Sequence, residues 1–163
     1  MTFTIRPVSH EDLPAICEWP QDEAELFYCF PKAHYPLTED QLLEAIAQRA
    51  ESSVVVQLGR PVAFANFYRW DQGGVCSIGN VIVAPSARRS GAAGFLVDHL
   101  CAVAFSKFAV VQVQVSRFSL NTAGLLLYPK LGFLPFAIEE RQSRAGERIA
   151  LVHLRRNPPS AGQ

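Results

Sequence analysis

The stretch that most constrains this chain covers residues 81–96, VIVAPSARRSGAAGFL. A β-branched run, Val81, Ile82 and Val83, stops at Pro85, which has no N–H to give to a sheet ladder. Arg88, Arg89 and a series of small residues then lead into an apolar helical pattern. The helix predicted over residues 91–106 is followed at 109–115 by valine alternating with glutamine, which reads as another strand. Strand, helix and strand in that order form a crossover, and a crossover pairs its two strands in parallel.

The segments on either side supply the antiparallel part. Residues 3–8 alternate as a strand, and Ser9 with His10, Glu11 and Asp12 caps a helix that Pro20 stops. Residues 22–30 are acidic and aromatic and read as a short helix or a structured loop; Thr38 to Gln41 has the form of a capping box opening an amphipathic helix. Residues 53–58, 62–70 and 75–83 are three strands separated by turn residues, a meander. Asn121 opens a last helix, ended by Gly132 as a left-handed cap, and residues 133–141 and 148–154 form a closing hairpin. The fold class is therefore α/β, a central mixed and mostly antiparallel sheet flanked by helices on both faces. One domain is expected over residues 1–156, with a mobile Pro, Ser and Gly tail at 157–163.

Composition narrows the function. Fifteen basic and fifteen acidic residues give zero formal charge, against a nucleic-acid footprint. No apolar run reaches the roughly 20 residues of a membrane span, and the N-terminus lacks the layout of a signal peptide, so a cytoplasmic protein without membrane contact is expected. Cys17, Cys29, Cys76 and Cys101 are scattered, as are the four histidines; reduced thiols and no metal site are expected.

Between Arg88 and Gly94 (Arg88, Arg89, Ser90, Gly91, Ala92, Ala93, Gly94) every side chain is cationic or small. Such residues let a ligand approach the backbone where the first helical turn offers unpaired N–H groups, a site suited to phosphate. A surface turn with a solvated arginine pair is the alternative. The spacing is neither that of a Walker loop nor that of a dinucleotide fingerprint. It resembles Arg/Gln-x-x-Gly-x-Gly/Ala, the pyrophosphate signature of the GCN5-related N-acetyltransferase (GNAT) superfamily.

A second signature agrees. Asn121, Tyr128, Gly132 and Phe133 resemble the family's Asn…Leu-Tyr-x-x-x-Gly-Phe. Asn121 and Tyr128 are two helical turns apart, on one face and separated by about 10.5 Å. Three positions depart from the family: Arg89 stands where glycine is commonest, Gly124 where alanine is usual, and Pro129 follows the tyrosine.

The resemblance covers essentially the whole chain and implies acetyl transfer from acetyl-CoA to an amine. It places the diphosphate on residues 88–94 with Asn121 nearby, the pantetheine arm along Val81, Ile82 and Val83, and Tyr128 beside the departing sulfur. A thiol titrates near 8.5 and a phenol near 10, so complete proton transfer to the thiolate is uphill by roughly 2 kcal/mol, and hydrogen-bond stabilisation is the safer role for Tyr128. Many relatives place a glutamate on the central strand. Residues 75–80 here contain no carboxylate, so the reading names no enzyme base and expects a water held by Asn80 or Ser77 to relay the proton.

Tyr28, Phe30, Tyr35, Tyr68 and Trp70, with Asn80, are the candidate acceptor-binding residues, for a small-molecule amine or a protein amine. Most of these aromatics would be core under the alternative reading. A homodimer is left open. The rival functions are a non-catalytic acyl-CoA sensor and an interaction domain of the same fold.

Overall fold

The computed structural model describes residues 2–160; of the expected mobile tail, residues 161–163 lie outside the described residues. The element order is β1 (Thr4–Pro7), α1 (Leu13–Cys17), α2 (Glu23–Cys29), α3 (Glu39–Ala47), β2 (Ala50–Gln57), β3 (Arg60–Trp70), β4 (Val75–Val83), α4 (Ala92–Lys107), β5 (Gln112–Phe118), α5 (Thr122–Lys130), β6 (Leu134–Gln142) and β7 (Arg148–Arg156). Among the described residues seven strands form one sheet in the order β1-β2-β3-β4-β5-β7-β6. Only β4 and β5, among the described residues, pair in parallel, because α4 carries the chain across the sheet between them.

Local chemistry sets the element ends. Thr38 accepts from the Gln41 amide at 3.3 Å and so caps α3, but the Gln41 side chain does not return to Thr38. It holds the preceding loop instead, accepting from the His34 amide at 2.7 Å and donating to the Pro36 carbonyl at 3.2 Å. Residues 22–30, which read as a short helix or a structured loop, hold the helix α2 (Glu23–Cys29) between the caps Asp22 and Phe30, with Asp22 accepting from the Glu25 amide at 2.9 Å. The fifth strand runs three residues beyond the expected 109–115 and includes Ser116, Arg117 and Phe118.

The sheet opens where the site must lie. The parallel register runs from Val75 opposite Gln112 to Ile78 opposite Val115 and stops there. Register shifts in β3 against β4 flank Asn66, opposite Gly79, and Asn80 takes a left-handed φ of 52°, a conformation asparagine tolerates better than most residues. Beyond Ile78, β4 stays paired with β3 but has no partner on its β5 side, so a gap forms between its C-terminal half and that of β5. The core around this gap is fully buried, with Phe64, Phe67, Leu96, Leu100, Val115 and Phe133 at 0% exposure. Stacking of Phe27 on Phe118, centroids 4.6 Å apart, holds α2 against the C-terminal end of β5. Among the described residues no helix is long and apolar enough to cross a membrane.

Candidate active site

The gap between β4 and β5 continues into a cleft of about 830 Å³. Its walls bring together both sequence signatures. Val81, Ile82 and Val83 come from β4, Arg88, Arg89, Gly91, Ala92, Ala93 and Gly94 from the turn into α4, and Asn121 and Tyr128 from α5. Ser90 stands behind this wall: its hydroxyl bonds the Ala87 carbonyl and accepts from the Ala92 amide at 3.3 Å, which fixes the turn.

The turn is shaped for close approach. Gly91, the residue capping α4, has φ of 92°, and a Cβ built there meets nothing within 4 Å. The space beside it is open, and the first-turn amides of Ala93 and Gly94 have no acceptor inside the helix. Partial positive charge at that end of a 16-residue helix adds to the attraction for an anion. The residues present therefore fit a diphosphate held by main-chain donors.

Arg88 serves a different purpose from Arg89. Its guanidinium is bound to Glu25 of α2 at 2.8 and 3.1 Å and to the Trp19 carbonyl at 3.3 Å, so it ties the helical layer to the turn. Arg88 holds the Glu25 carboxyl below the usual carboxylate range. Arg89 is exposed, with φ of 63°.

Tyr128 is 1% exposed, and its ring meets Phe133 edge-on at 5.6 Å. Arg117, buried on β5, donates a hydrogen bond to the Tyr128 hydroxyl oxygen and lies over its ring, 4.5 Å from the centroid; it also donates to the Ser116 carbonyl at 2.9 Å. A guanidinium has no lone pair to offer, so the phenol oxygen must be the acceptor and its proton is free to be donated elsewhere. Donation from a cation strengthens that hydroxyl as a donor through cooperative polarisation.

The sequence reading missed Arg117 because the strand it sits on was expected to end at Val115. One signal pointed to it. Gly124 stands where the family favours alanine, and a Cβ there would come within 2.7 Å of Arg117 Cδ and 3.1 Å of Cγ. The helix is glycine at this point because the arginine stem occupies the space.

Of the six acceptor-side candidates, Tyr28 lines the cleft. Tyr35, Tyr68 and Trp70 are exposed, at 43%, 44% and 39%. The Tyr68 ring is close enough to Gly79 that a Cβ there would lie 2.7 Å from Tyr68 Cδ1. Phe30 and Asn80 turn inward. Phe30 is 4% exposed and stacks on Phe64, centroids 6.5 Å apart. The Asn80 amide donates to the Cys29 carbonyl at 2.7 Å and its oxygen accepts from Asn66 at 3.1 Å, so its carboxamide is a structural tie rather than part of the cleft wall. Ser77 is likewise 2% exposed. The hairpin turn does meet the loop after α2, with Arg144 donating to the Pro31 and Ala33 carbonyls.

Cys29 also lines the cleft, but burial pushes its thiol up to about 12, and a protonated thiol is not a nucleophile. The cleft is thus a main-chain anion cradle at one end and a cation-supported phenol at the other. A sequence profile of the acetyltransferase (GNAT) family matches residues 13–133. The chain belongs to the GNAT family. Solved GNAT-like structures share its fold over nearly their full length. The ribosomal-protein-S18-alanine N-acetyltransferase from Escherichia coli superposes with a TM-score of 0.74 at 22% identity, covering 99% of this chain and 97% of the other. A GNAT-family acetyltransferase from Bacillus anthracis gives a TM-score of 0.78 at 16% identity over 95% and 94% of the two chains. The ribosomal-protein-alanine N-acetyltransferase from Brucella melitensis gives 0.74 at 22% identity over 95% and 99%. At such identities the likeness is one of fold.

Proposed function

We propose that this GNAT protein is an acetyl-CoA-dependent N-acetyltransferase that passes the acetyl group to a primary amine by direct attack in a ternary complex. The observation carrying this reading is the co-location of the Gly91 turn, the C-terminal half of β4, Asn121 and the Tyr128 hydroxyl in one cleft. Bound acetyl-CoA supplies the activated thioester.

The chain's own residues divide the remaining work. Main-chain amides of Ala93 and Gly94 hold the diphosphate, and Val81, Ile82 and Val83, unpaired on the β5 side, offer main-chain groups to an extended arm. Tyr128 donates to the sulfur as negative charge develops there, and Arg117 fixes the direction of that donation. The four free cysteines suit the reducing cytoplasm, where we place the enzyme.

The acceptor is an amine small enough to enter between α2, the loop after it and the β6–β7 turn. Two of the structural relatives are named for alanine N-acetylation of ribosomal proteins, so alanine-initiated peptides belong beside small amines in a screen. The rival non-catalytic sensor is favoured by one observation, the lack of a carboxylate on β4. A panel of amines with detection of released thiol separates the two. Turnover on some acceptor, with Tyr128→Phe lowering kcat by tenfold or more at unchanged acetyl-CoA affinity, supports the enzyme; clear binding with no turnover across the panel supports the sensor.

A further inference from the structure

The expected strand carboxylate is absent, yet a proton acceptor stands on the neighbouring strands. Ser116 of β5 is directly opposite His153 of β7, and its hydroxyl oxygen lies 2.6 Å from His153 Nδ1. On the far side of the ring, His153 Nε2 lies 2.6 Å from Glu139 Oε2 of β6. We propose that Ser116, His153 and Glu139 form the proton relay that deprotonates the acceptor amine. This rests on the acetyltransferase reading above.

The tautomer follows from the partners. A carboxylate can only accept, so Nε2 carries the ring proton and Nδ1 presents a lone pair. Ser116 then donates to Nδ1, and its own oxygen lone pairs remain for an incoming N–H. This is the nucleophile, base and orienting-acid arrangement of hydrolytic triads with the two ring nitrogens exchanged. The His153 bond holds the Glu139 carboxyl below its ordinary range, with Arg141 contributing, so the acid end stays ionised.

Few other charges face the ring. Arg141 bonds Glu139 at 3.0 Å, and Arg155 lies over Phe136, whose ring is 6.1 Å from that of His153. On β5, Arg117 projects to the opposite face.

Position makes the relay relevant. Ser116 is the first residue of β5 beyond the last parallel pair; the cleft wall takes in its neighbour Arg117, while Ser116 and its partners His153 and Glu139 lie on the other face of the sheet, outside that wall. Side chains alternate along a strand, so Ser116 and Arg117 point to opposite faces, and Arg117 holds Tyr128. A thioester lodged between the diverging strands has the phenol on one side and the Ser116 hydroxyl on the other. An acceptor arriving as an ammonium ion gives one proton to Ser116 as the serine proton moves to His153 Nδ1. The freed nitrogen lone pair forms the N–C bond and the C–S bond breaks. The second nitrogen proton neutralises the thiolate that Tyr128 has stabilised, and the imidazolium returns its proton to solvent. Ser116 and His153 act in catalysis, and Glu139 is a positioning residue.

The test uses the full chain and the best acceptor from an amine panel. Acetyl-CoA affinity is measured by calorimetry, and kcat/KM from pH 6 to 10, for wild type, Ser116→Ala, His153→Gln and Glu139→Gln. Expected are losses at pH 7 of about 100-fold for the first two variants and about 10-fold for Glu139→Gln, with acetyl-CoA Kd within twofold of wild type. The deficits shrink as pH rises and the amine deprotonates unaided. Ser116→Ala removes only one oxygen atom, so retained cofactor binding in that variant certifies its fold. The relay is overturned if Ser116→Ala and His153→Gln stay within threefold of wild type at pH 7 with an unaltered profile. It is equally overturned if mass spectrometry finds Ser116 acetylated after incubation with acetyl-CoA alone, which would make the serine a covalent carrier. Absence of acetyl-CoA binding in wild type refutes the parent function instead.

Discussion

Replacing a helical glycine by alanine ordinarily stabilises a helix, by up to about 1 kcal/mol; Gly124 is the third residue of α5. At Gly124 the opposite sign is expected. The added Cβ would lie 2.7 Å from Arg117 Cδ, 3.0 Å from Nε and 3.1 Å from Cγ, whereas carbon atoms rest about 3.5–4.0 Å apart. The stem of a buried arginine must therefore shift by about 1 Å, and overpacking of this kind costs about 1–3 kcal/mol. The movement also loosens the bond from Arg117 to Tyr128, a charged hydrogen bond in a class valued at about 1.5–3 kcal/mol. The net expectation is a loss of about 1–2 kcal/mol, or roughly 2–8 °C in Tm for a chain of this size, and a fall in kcat of tenfold or more at unchanged acetyl-CoA affinity. Denaturant unfolding of Gly124→Ala, Arg117→Ala and the double variant gives a thermodynamic cycle. Once Arg117 is truncated the alanine should become stabilising, so the coupling is about 1–3 kcal/mol. A stabilised single variant with normal turnover would refute the packing argument and the role assigned to Arg117.

Other residues give shorter tests. Asp12, 4% exposed, accepts from Arg6 at 2.7 and 2.9 Å and from the Ser9 amide at 2.8 Å, and Arg6 is the main cause of its lowered pKa. Asp12→Asn should cost about 1–2 kcal/mol at pH 7, since Arg6 is partly solvated. Because the folded carboxyl titrates below its unfolded value, the difference is fully present above the ordinary carboxylate pKa and disappears as pH falls through the depressed one; acid unfolding curves that stay parallel would contradict this. Glu25→Gln releases Arg88 beside the diphosphate cradle and removes a like charge, so acetyl-CoA should bind about 3–10-fold tighter at low salt with less gain at high salt, and weaker binding would count against the cradle. Burial pushes Cys29 and Cys101 up to about 12 and Cys17 and Cys76 to about 11, so an aromatic disulfide reagent at pH 8 should react slowly with all four cysteines in the native protein and rapidly with all four after unfolding. Fast native labelling of Cys29 would show the cleft to be far more open than described.

Features encoded locally could be read before the structure. Pro85, the small residues around Gly91 and the cap at Asn121 act within a few residues of themselves, and two signatures two helical turns wide were enough to locate both ends of the cleft. What sequence could not supply was register. Ser116 and His153 are 37 residues apart and meet only because β5 and β7 pair with these residues opposed. The sequence offers Asn80 as a residue to hold a relay water; with the register shifts about Asn66 and a left-handed φ at Asn80, its amide bonds into the core instead. Phe30 went the same way, since an aromatic closing a short helix is equally suited to a cage or to a core and only Phe64 decides. Gly124 was visible as a departure from family habit, but its cause lies on another element.

The central claim is that the cleft between β4 and β5 takes acetyl-CoA, its diphosphate on the amides that follow Gly91. Calorimetric titration of acetyl-CoA into the wild-type chain tests this most directly. The account predicts one saturable site per chain, with affinity lost when Gly91 and Ala93 are both replaced by aspartate. Absence of saturable binding at millimolar acetyl-CoA, or binding indifferent to that double replacement, would contradict it.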